Sequence, residues 1–302
     1  MSFIDAHTEL RLTNKTYLKA VRLYVWEAYL MDYAGSDVST KAFLGTGRKV
    51  IRARVRANDD GILAGVQEAT WFLEKLGLTV VTAKKDGAKI KTGNYVFEIE
   101  GRASVILKAE RTLLNLLQRM SGVATKTKRL SVKIPKGVQL LATRKTLWGL
   151  LDKRAVTLGG GGTHRLHLGD AILIKENHIA LAGNLKRSLK RAFRRSGKAR
   201  FVEIEFESPE EVNDFLSIYG KLKKYLREEE TVMVMLDNFK PADIKKVIRQ
   251  LVREGLFVEL SGGINERNIS RFNIAGVSAV SSGSITSQAN NLDFSLQIAD
   301  KK

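Results

Sequence analysis

Seven short apolar runs between Leu140 and Gly283 each end in polar or charged residues. Leu140 to Ala142 leads into Thr143, Arg144, Lys145 and Thr146, and Gly159 to Gly162 into Thr163, His164 and Arg165. Ala171 to Ile174 leads into Lys175, Glu176, Asn177 and His178, and Val202 to Ile204 into Glu205. Val232 to Leu236 leads into Asp237 and Asn238, Phe257 to Leu260 into Ser261, Gly262 and Gly263, and Ala279-Val280 into Ser281, Ser282 and Gly283. Runs of this kind, separated by helix-length segments, read as parallel strands buried on both faces. In an α/β barrel the C-terminal strand ends converge on one rim, and that rim carries the site. The rim expected here holds Arg144, Lys145, His164, Arg165, Lys175, Glu205 and Asp237. Two carboxylates among many cations, beside a glycine-rich edge, suit an anionic, phosphorylated, metal-bound substrate.

The 302 residues suffice for one large domain or two ordinary ones. The absence of cysteine excludes disulfides, thiolate zinc sites and cysteine nucleophiles. Asp5, Glu9 and Arg11 interrupt the N-terminus, so no secretory signal is expected there. No segment approaches the roughly 20 apolar residues that span a membrane, and a cytoplasmic protein is expected. The formal charge of +19 attracts anions generally and does not choose among them. The densest basic stretch runs from Lys186 to Arg200, with Leu185, Leu189 and Phe193 recurring every fourth residue. It reads as an amphipathic helix with a solvated basic face; nucleic-acid binding is the lesser reading, since no nucleic-acid motif or adjacent aromatic interleaving accompanies it.

The N-terminal part reads as a small α+β domain. Tyr17 to Met31 is helical and Asp32 to Ser39 turn-like. Val50 to Ala57 alternates, with Ile51, Ala53, Val55 and Ala57 on one face and Arg52, Arg54 and Arg56 on the other. Val66 to Leu76 reads as a helix and Tyr95 to Glu100 as a second strand. Ser104 to Met120 reads as a helix capped by Ser104 and stopped by Gly122, with Arg111, Asn115 and Gln118 on one polar stripe.

At the rim, guanidinium forks at Arg144 and Arg165 match carboxylates and phosphates. Lys175 is a Schiff-base nucleophile or a fixed cation, and the crowd of cations favours the second. Glu205 and Asp237 are acid/base groups, metal ligands or acceptors for sugar hydroxyls. Ser261-Gly262-Gly263 and Ser282-Gly283-Ser284 follow the last two strands, where barrels commonly hold phosphate, and Asn265-Glu266 opens a helix after the first of them. The four glycines from Gly159 match neither the dinucleotide fingerprint nor the P-loop. His178 is a cap or a core residue.

These strings, together with Glu110 to Gly122 and Leu236 to Phe239, resemble the quinolinate phosphoribosyltransferase family (nicotinate-nucleotide pyrophosphorylase, carboxylating), from about residue 35 to the C-terminus. The resemblance implies an N-terminal α/β sandwich domain (1–122, joined by the tail 287–302) and an open, incomplete TIM-like α/β barrel (123–286). It implies synthesis of nicotinate mononucleotide, pyrophosphate and CO2 from quinolinate and phosphoribosyl pyrophosphate, with Mg²⁺. Lys145, Lys175, Glu205 and Asp237 would be catalytic, with Glu205 and Asp237 also holding metal. Arg144, Lys145, His164, Arg165 and Lys175 would form the cationic pocket, and the Ser-Gly segments would hold the 5′-phosphate. Arg111 would act in trans within a homodimer or dimer-based hexamer. Trp148 and His167 stand where the family usually has Pro and Gly, and Met31 and Ser36 replace an acid and a Gly; these bear on rim geometry and subunit packing. A paralogue associated with molybdenum transport shares the fold and is the nearest rival, while a Schiff-base lyase and a basic nucleic-acid-binding protein are readings of other classes.

Overall fold

The computed structural model describes residues 2–44, 49–227 and 230–299. Its strands, in chain order, are β1 (Val50–Ala57), β2 (Gly61–Ile62), β3 (Thr79–Ala83), β4 (Lys89–Ile90), β5 (Tyr95–Arg102), β6 (Gln139–Ala142), β7 (Ile172–Ile174), β8 (Val202–Phe206), β9 (Val232–Asp237), β10 (Phe257–Ser261), β11 (Ala279–Ser282) and β12 (Phe294–Ile298). The chain forms two compact units. One comprises Thr8–Lys128, Thr146–Gly160 and Gln288–Lys302; the other Met1–His7, Arg129–Lys145 and Gly161–Ser287. The last three residues of the C-terminal tail lie outside the described residues.

The first unit is built on a four-stranded antiparallel sheet in the order β12-β1-β5-β3. In β1 the alternation is realised as read: Ile51, Ala53, Val55 and Ala57 are buried. On the polar face Arg52 pairs with Glu100 and Arg54 with Glu98 directly across the register. The N-terminal helical stretch divides into Lys15–Val21 and Glu27–Tyr33, with a π-turn at Arg22–Trp26 between them. Ser39, read as turn, belongs to the helix Val38–Leu44.

A larger departure concerns Gly122. The helix runs through it, from Ala103 to Ser131, directly out of β5, so Ser104 is no cap and Gly122 no stop. A Cβ on Gly122 would lie 2.1 Å from the Asn290 carbonyl oxygen. Glycine stands there because the returning C-terminal segment crosses the helix in contact with its backbone.

The second unit is a six-stranded parallel sheet in the order β6-β11-β10-β9-β8-β7, with helices between the strands. Every residue of β11 is buried, as are all of β9 except Asp237, which explains the unbroken apolar runs. Gly159–Gly162 forms no strand; only an isolated bridge joins Gly162 to Leu141. A Cβ there would come within 2.5–3.0 Å of Gln139 and Leu141, so the glycine permits close approach to β6. Among the described residues no ladder joins β7 to β6, and the barrel is open.

The N-terminal face of this sheet is closed by residues the sequence had left without a role. Ile4 packs with Leu141, Ala171, Phe201, Met233 and Ala279, and Phe3 lies against Phe257 and Phe201 with ring centroids 4.8 and 6.0 Å away. The Arg200 guanidinium donates to the Phe3 carbonyl and pairs with Asp170. The chain start thus plugs one end of the barrel, leaving the C-terminal strand ends as its open face. No helix among the described residues is long and apolar enough to cross a membrane.

Candidate active site

The C-terminal ends of the parallel strands surround a cavity of about 320 Å³, within the range of small-molecule sites. Arg144 and Lys145 follow β6, His164 and Arg165 follow the Gly162 bridge, Lys175 follows β7, Glu205 lies near the end of β8, and Asp237 and Ser261 end β9 and β10. All eight line the cavity. Parallel strands in register produce this convergence: Glu205 stands opposite Met235, and Asp237 opposite Ser261.

The charges are unevenly paired. Lys175 contacts Glu205 directly. Asp237 accepts from the Asn238 side-chain amide at 2.7 Å. Arg144, Lys145 and Arg165 have no carboxylate partner among the described residues. Burial and then the neighbouring Arg144 lower the pKa of the Arg165 guanidinium, the mark of cations held together. The loop bearing Arg144 and Lys145 is held in place: the Thr143 hydroxyl accepts from the Lys145 amide, and the Thr286 hydroxyl donates to the Lys145 carbonyl.

His164 is not a freely exposed cation of the rim. It is buried, at φ +52°, with both ring nitrogens engaged. Nδ1 accepts from the Arg165 amide at 2.7 Å, and Nε2 faces Glu203 at 2.9 Å and Glu259 at 3.2 Å. Burial opposes a charged ring, but Glu259 and Glu203 outweigh it and raise His164 to about 10. Burial, then Glu259, push Glu203 up to about 7. The Arg165 amide donating to Nδ1 leaves Nε2 as the proton-bearing nitrogen, and it faces the Glu203 and Glu259 carboxylates. Glu203 and Glu259 had no assigned role in the sequence reading. The signal was available: each is an acid inside an apolar strand, two residues before a rim residue and therefore on the same side of that strand.

Several expected residues lie away from the cavity. Arg111 belongs to the other compact unit, where it lines a separate cavity of about 150 Å³ with Tyr24, Asp32, Asn115 and Trp148. Gly262, Gly263, Ser282, Gly283 and Ser284 do not line the barrel cavity. The Ser282 hydroxyl is buried and donates to the Ile264 carbonyl, and it lies 2.8 Å from the Ser284 hydroxyl. Gly283 lies beside Thr143 and Lys145. Asn265-Glu266 opens a turn followed by a 3₁₀ segment, Ile269–Phe272, and not an α-helix. None of the four glycines from Gly159 lines the cavity. His178 is a cap, its Nδ1 accepting from the Lys175 amide.

The quinolinate phosphoribosyl transferase family matches in both parts, the N-terminal domain over residues 37–121 and the C-terminal domain over 123–297. The chain belongs to this family. A probable nicotinate-nucleotide pyrophosphorylase (carboxylating) of Methanothermobacter thermautotrophicus is 35% identical over 90% of this chain and 96% of its own. The nicotinate-nucleotide pyrophosphorylase (carboxylating) of Mycobacterium leprae is 33% identical over 87% of this chain and 92% of its own. The solved nicotinate-nucleotide pyrophosphorylase of Francisella tularensis superposes with a TM-score of 0.82 at 32% identity, covering 93% of this chain and 96% of that one. Membership in the quinolinate phosphoribosyl transferase family accounts for the pairing of an antiparallel-sheet unit with an open parallel barrel.

Proposed function

We propose that this chain joins quinolinate to phosphoribosyl pyrophosphate and releases nicotinate mononucleotide, pyrophosphate and CO2, a glycosyl transfer of NAD biosynthesis. Family membership supports the activity, and one observation carries the site: three cations without carboxylate partners converge on one cavity. Gathering such charge is costly unless an anion completes it. Quinolinate is a dianion and phosphoribosyl pyrophosphate is more highly charged.

Arg144 and Arg165 receive the two quinolinate carboxylates through bidentate hydrogen bonds, and Lys145 serves as a point charge for phosphoryl oxygens. The pyridine nitrogen attacks C1 of the ribose as the pyrophosphate bond breaks. Positive charge spreads over C1 and the ring oxygen at that moment, and Glu205 and Asp237 stabilise it while accepting from ribose hydroxyls. Lys175 holds Glu205 in place. Loss of CO2 leaves an electron pair at C2 beside the cationic ring nitrogen, and a proton then fills it. His164 works from behind, through the Arg165 amide.

Glu205 and Asp237 offer hard oxygen donors, the type Mg²⁺ takes together with substrate phosphates, and oxygens of Glu176 and Glu207 lie within 4.8 Å of that of Glu205. Bound Mg²⁺ would neutralise charge on the departing pyrophosphate. We assign Arg111 to the site of a partner subunit in a cytoplasmic homodimer or dimer-based hexamer. Mixing Arg111→Ala with Lys175→Ala subunits should then restore activity that neither variant has alone. The decisive assay is nicotinate mononucleotide formation from the two substrates with and without Mg²⁺; no product under either condition would remove the assignment.

A further inference from the structure

Between Glu176 and Glu203 the chain has no acidic residue. Within that span the helix Leu185–Arg195 carries Lys186, Arg187, Lys190, Arg191, Arg194 and Arg195. None of the six pairs with a carboxylate among the described residues. Elsewhere the protein does pair helix cations, as at Lys246 and Asp243.

The arrangement is locally unfavourable. Lys186 with Lys190, Arg187 with Arg191, Lys190 with Arg194 and Arg191 with Arg195 stand at i, i+4, where like charges repel. The first turn holds two cations and no acid, against the helix dipole. The helix is held instead by its apolar side, since Leu189 and Phe193 are buried, and by Asn184, which caps the Arg187 amide at 2.9 Å. A second element adds to the same field. The Tyr225 ring has Arg194 at 4.7 Å, Lys190 at 5.2 Å and Lys224 at 5.4 Å from its centroid.

Three features select the partner. An 11-residue helix is about 16 Å long, and duplex nucleic acid presents a charge about every 1.7 Å, so several phosphates fall within its reach. A helix that lies on a membrane needs its apolar side free to enter the lipid, whereas here Leu189 and Phe193 are inside the fold. The ring of Tyr225 is flanked by three cations and so organises them, leaving no free aromatic platform for unpaired bases.

We propose that the helix Leu185–Arg195, together with Lys224, is a docking surface for double-helical nucleic acid, gripped through its phosphates without reading sequence. None of the six helix cations lines the catalytic cavity, and the proposal does not depend on the reaction assigned above.

The test compares the full-length protein with the variant Lys186→Gln/Arg187→Gln/Arg191→Gln/Arg194→Gln, by fluorescence anisotropy with labelled 25-base-pair duplexes of two unrelated sequences. Four to five phosphate contacts predict micromolar to roughly 100 µM affinity near 0.15 M salt and a log–log salt slope of about −4. The variant should bind at least about tenfold more weakly with a shallower slope, at unchanged nicotinate mononucleotide formation and an unchanged or higher melting temperature. Absence of duplex binding near 0.15 M salt overturns the proposal, as does equal binding by the variant. Binding to phosphatidylserine vesicles but not to duplex would assign the surface to membranes instead.

Discussion

Two arginine-centred regions of this molecule use charge in opposite ways. In the sandwich unit, Arg119 pairs with Asp152 through two contacts of 2.9 and 2.7 Å, and Asp152 also accepts from the Leu147 and Trp148 amides. Nearby, Arg154 meets Glu68 and Asp86, each at 2.8 Å. In the barrel cavity, Arg144 and Arg165 sit in each other's field, and neither forms an ion pair with a carboxylate among the described residues. The guanidinium pKa values record the contrast. Burial lowers both, but Glu68 and Asp86 turn Arg154 upward, while Arg144 drives Arg165 further down. A completed ion network holds structure; the incomplete one is where we propose that an anionic ligand binds.

The sharpest way to break this contrast is Asp152→Ala. It would leave the buried Arg119 guanidinium without its carboxylate and two amides without their acceptor. The expected loss of stability is about 3–5 kcal/mol by denaturant titration. A loss below about 1 kcal/mol would show that the network is ornamental.

The carboxylates behind His164 should make stability fall with pH. Glu203 is raised to about 7, above its unfolded value. A group whose folded pKa is raised contributes stability below its unfolded pKa and loses it as pH rises through the folded one. The contribution is therefore full below about pH 4.5 and is lost as pH rises through 7. That loss is worth on the order of 3 kcal/mol. In Glu259→Gln, which removes the charge beside Glu203, the fall between about pH 5 and 8 should flatten. Melting curves that keep the wild-type slope would place the titration elsewhere.

For the incomplete network the expectation reverses. Arg144→Ala or Arg165→Ala should weaken quinolinate binding by about 1.5–3 kcal/mol, roughly ten- to over a hundredfold. Stability should hold or rise, because one of two repelling cations is gone. Calorimetric titration and melting temperature, measured together, separate this from a structural role; a destabilised variant with normal affinity would put both arginines in the first class. The smallest effect belongs to an exposed pair. Lys133→Ala, which removes the contact with Glu266 at 3.2 Å, should cost about 0–1 kcal/mol and less at high salt.

The barrel strands were legible because a strand covered on both faces must be apolar throughout, and the rim residues followed from where each run stops. β1 was legible for a different reason, the strict alternation of one wet face. The glycines misled the reading in both units. Gly122 looked like a helix stop and Gly159–Gly162 like a strand, because sequence shows that a side chain is missing and not what occupies its place. At Gly122 that is the Asn290 carbonyl, and at Gly162 it is the side chains of β6. The Ser-Gly segments were placed by analogy with phosphate loops, yet the Ser282 hydroxyl is engaged within the fold.

Local pattern alone therefore determined most element types and the stock of cations and carboxylates at the strand ends, because periodicity and burial act over a few residues. Pairing was decided only in three dimensions. Whether a given Arg, Glu or His meets an opposite charge depends on which strand ends become neighbours. β6 lies beside β11 although about 136 residues separate them, so Lys145 is held through Thr286. β8 and β10 flank β9, so Glu203 and Glu259 close on His164 from two strands away. That juxtaposition turned an apparent rim cation into the buried support of Arg165 and left Arg144, Lys145 and Arg165 without a carboxylate partner among the described residues.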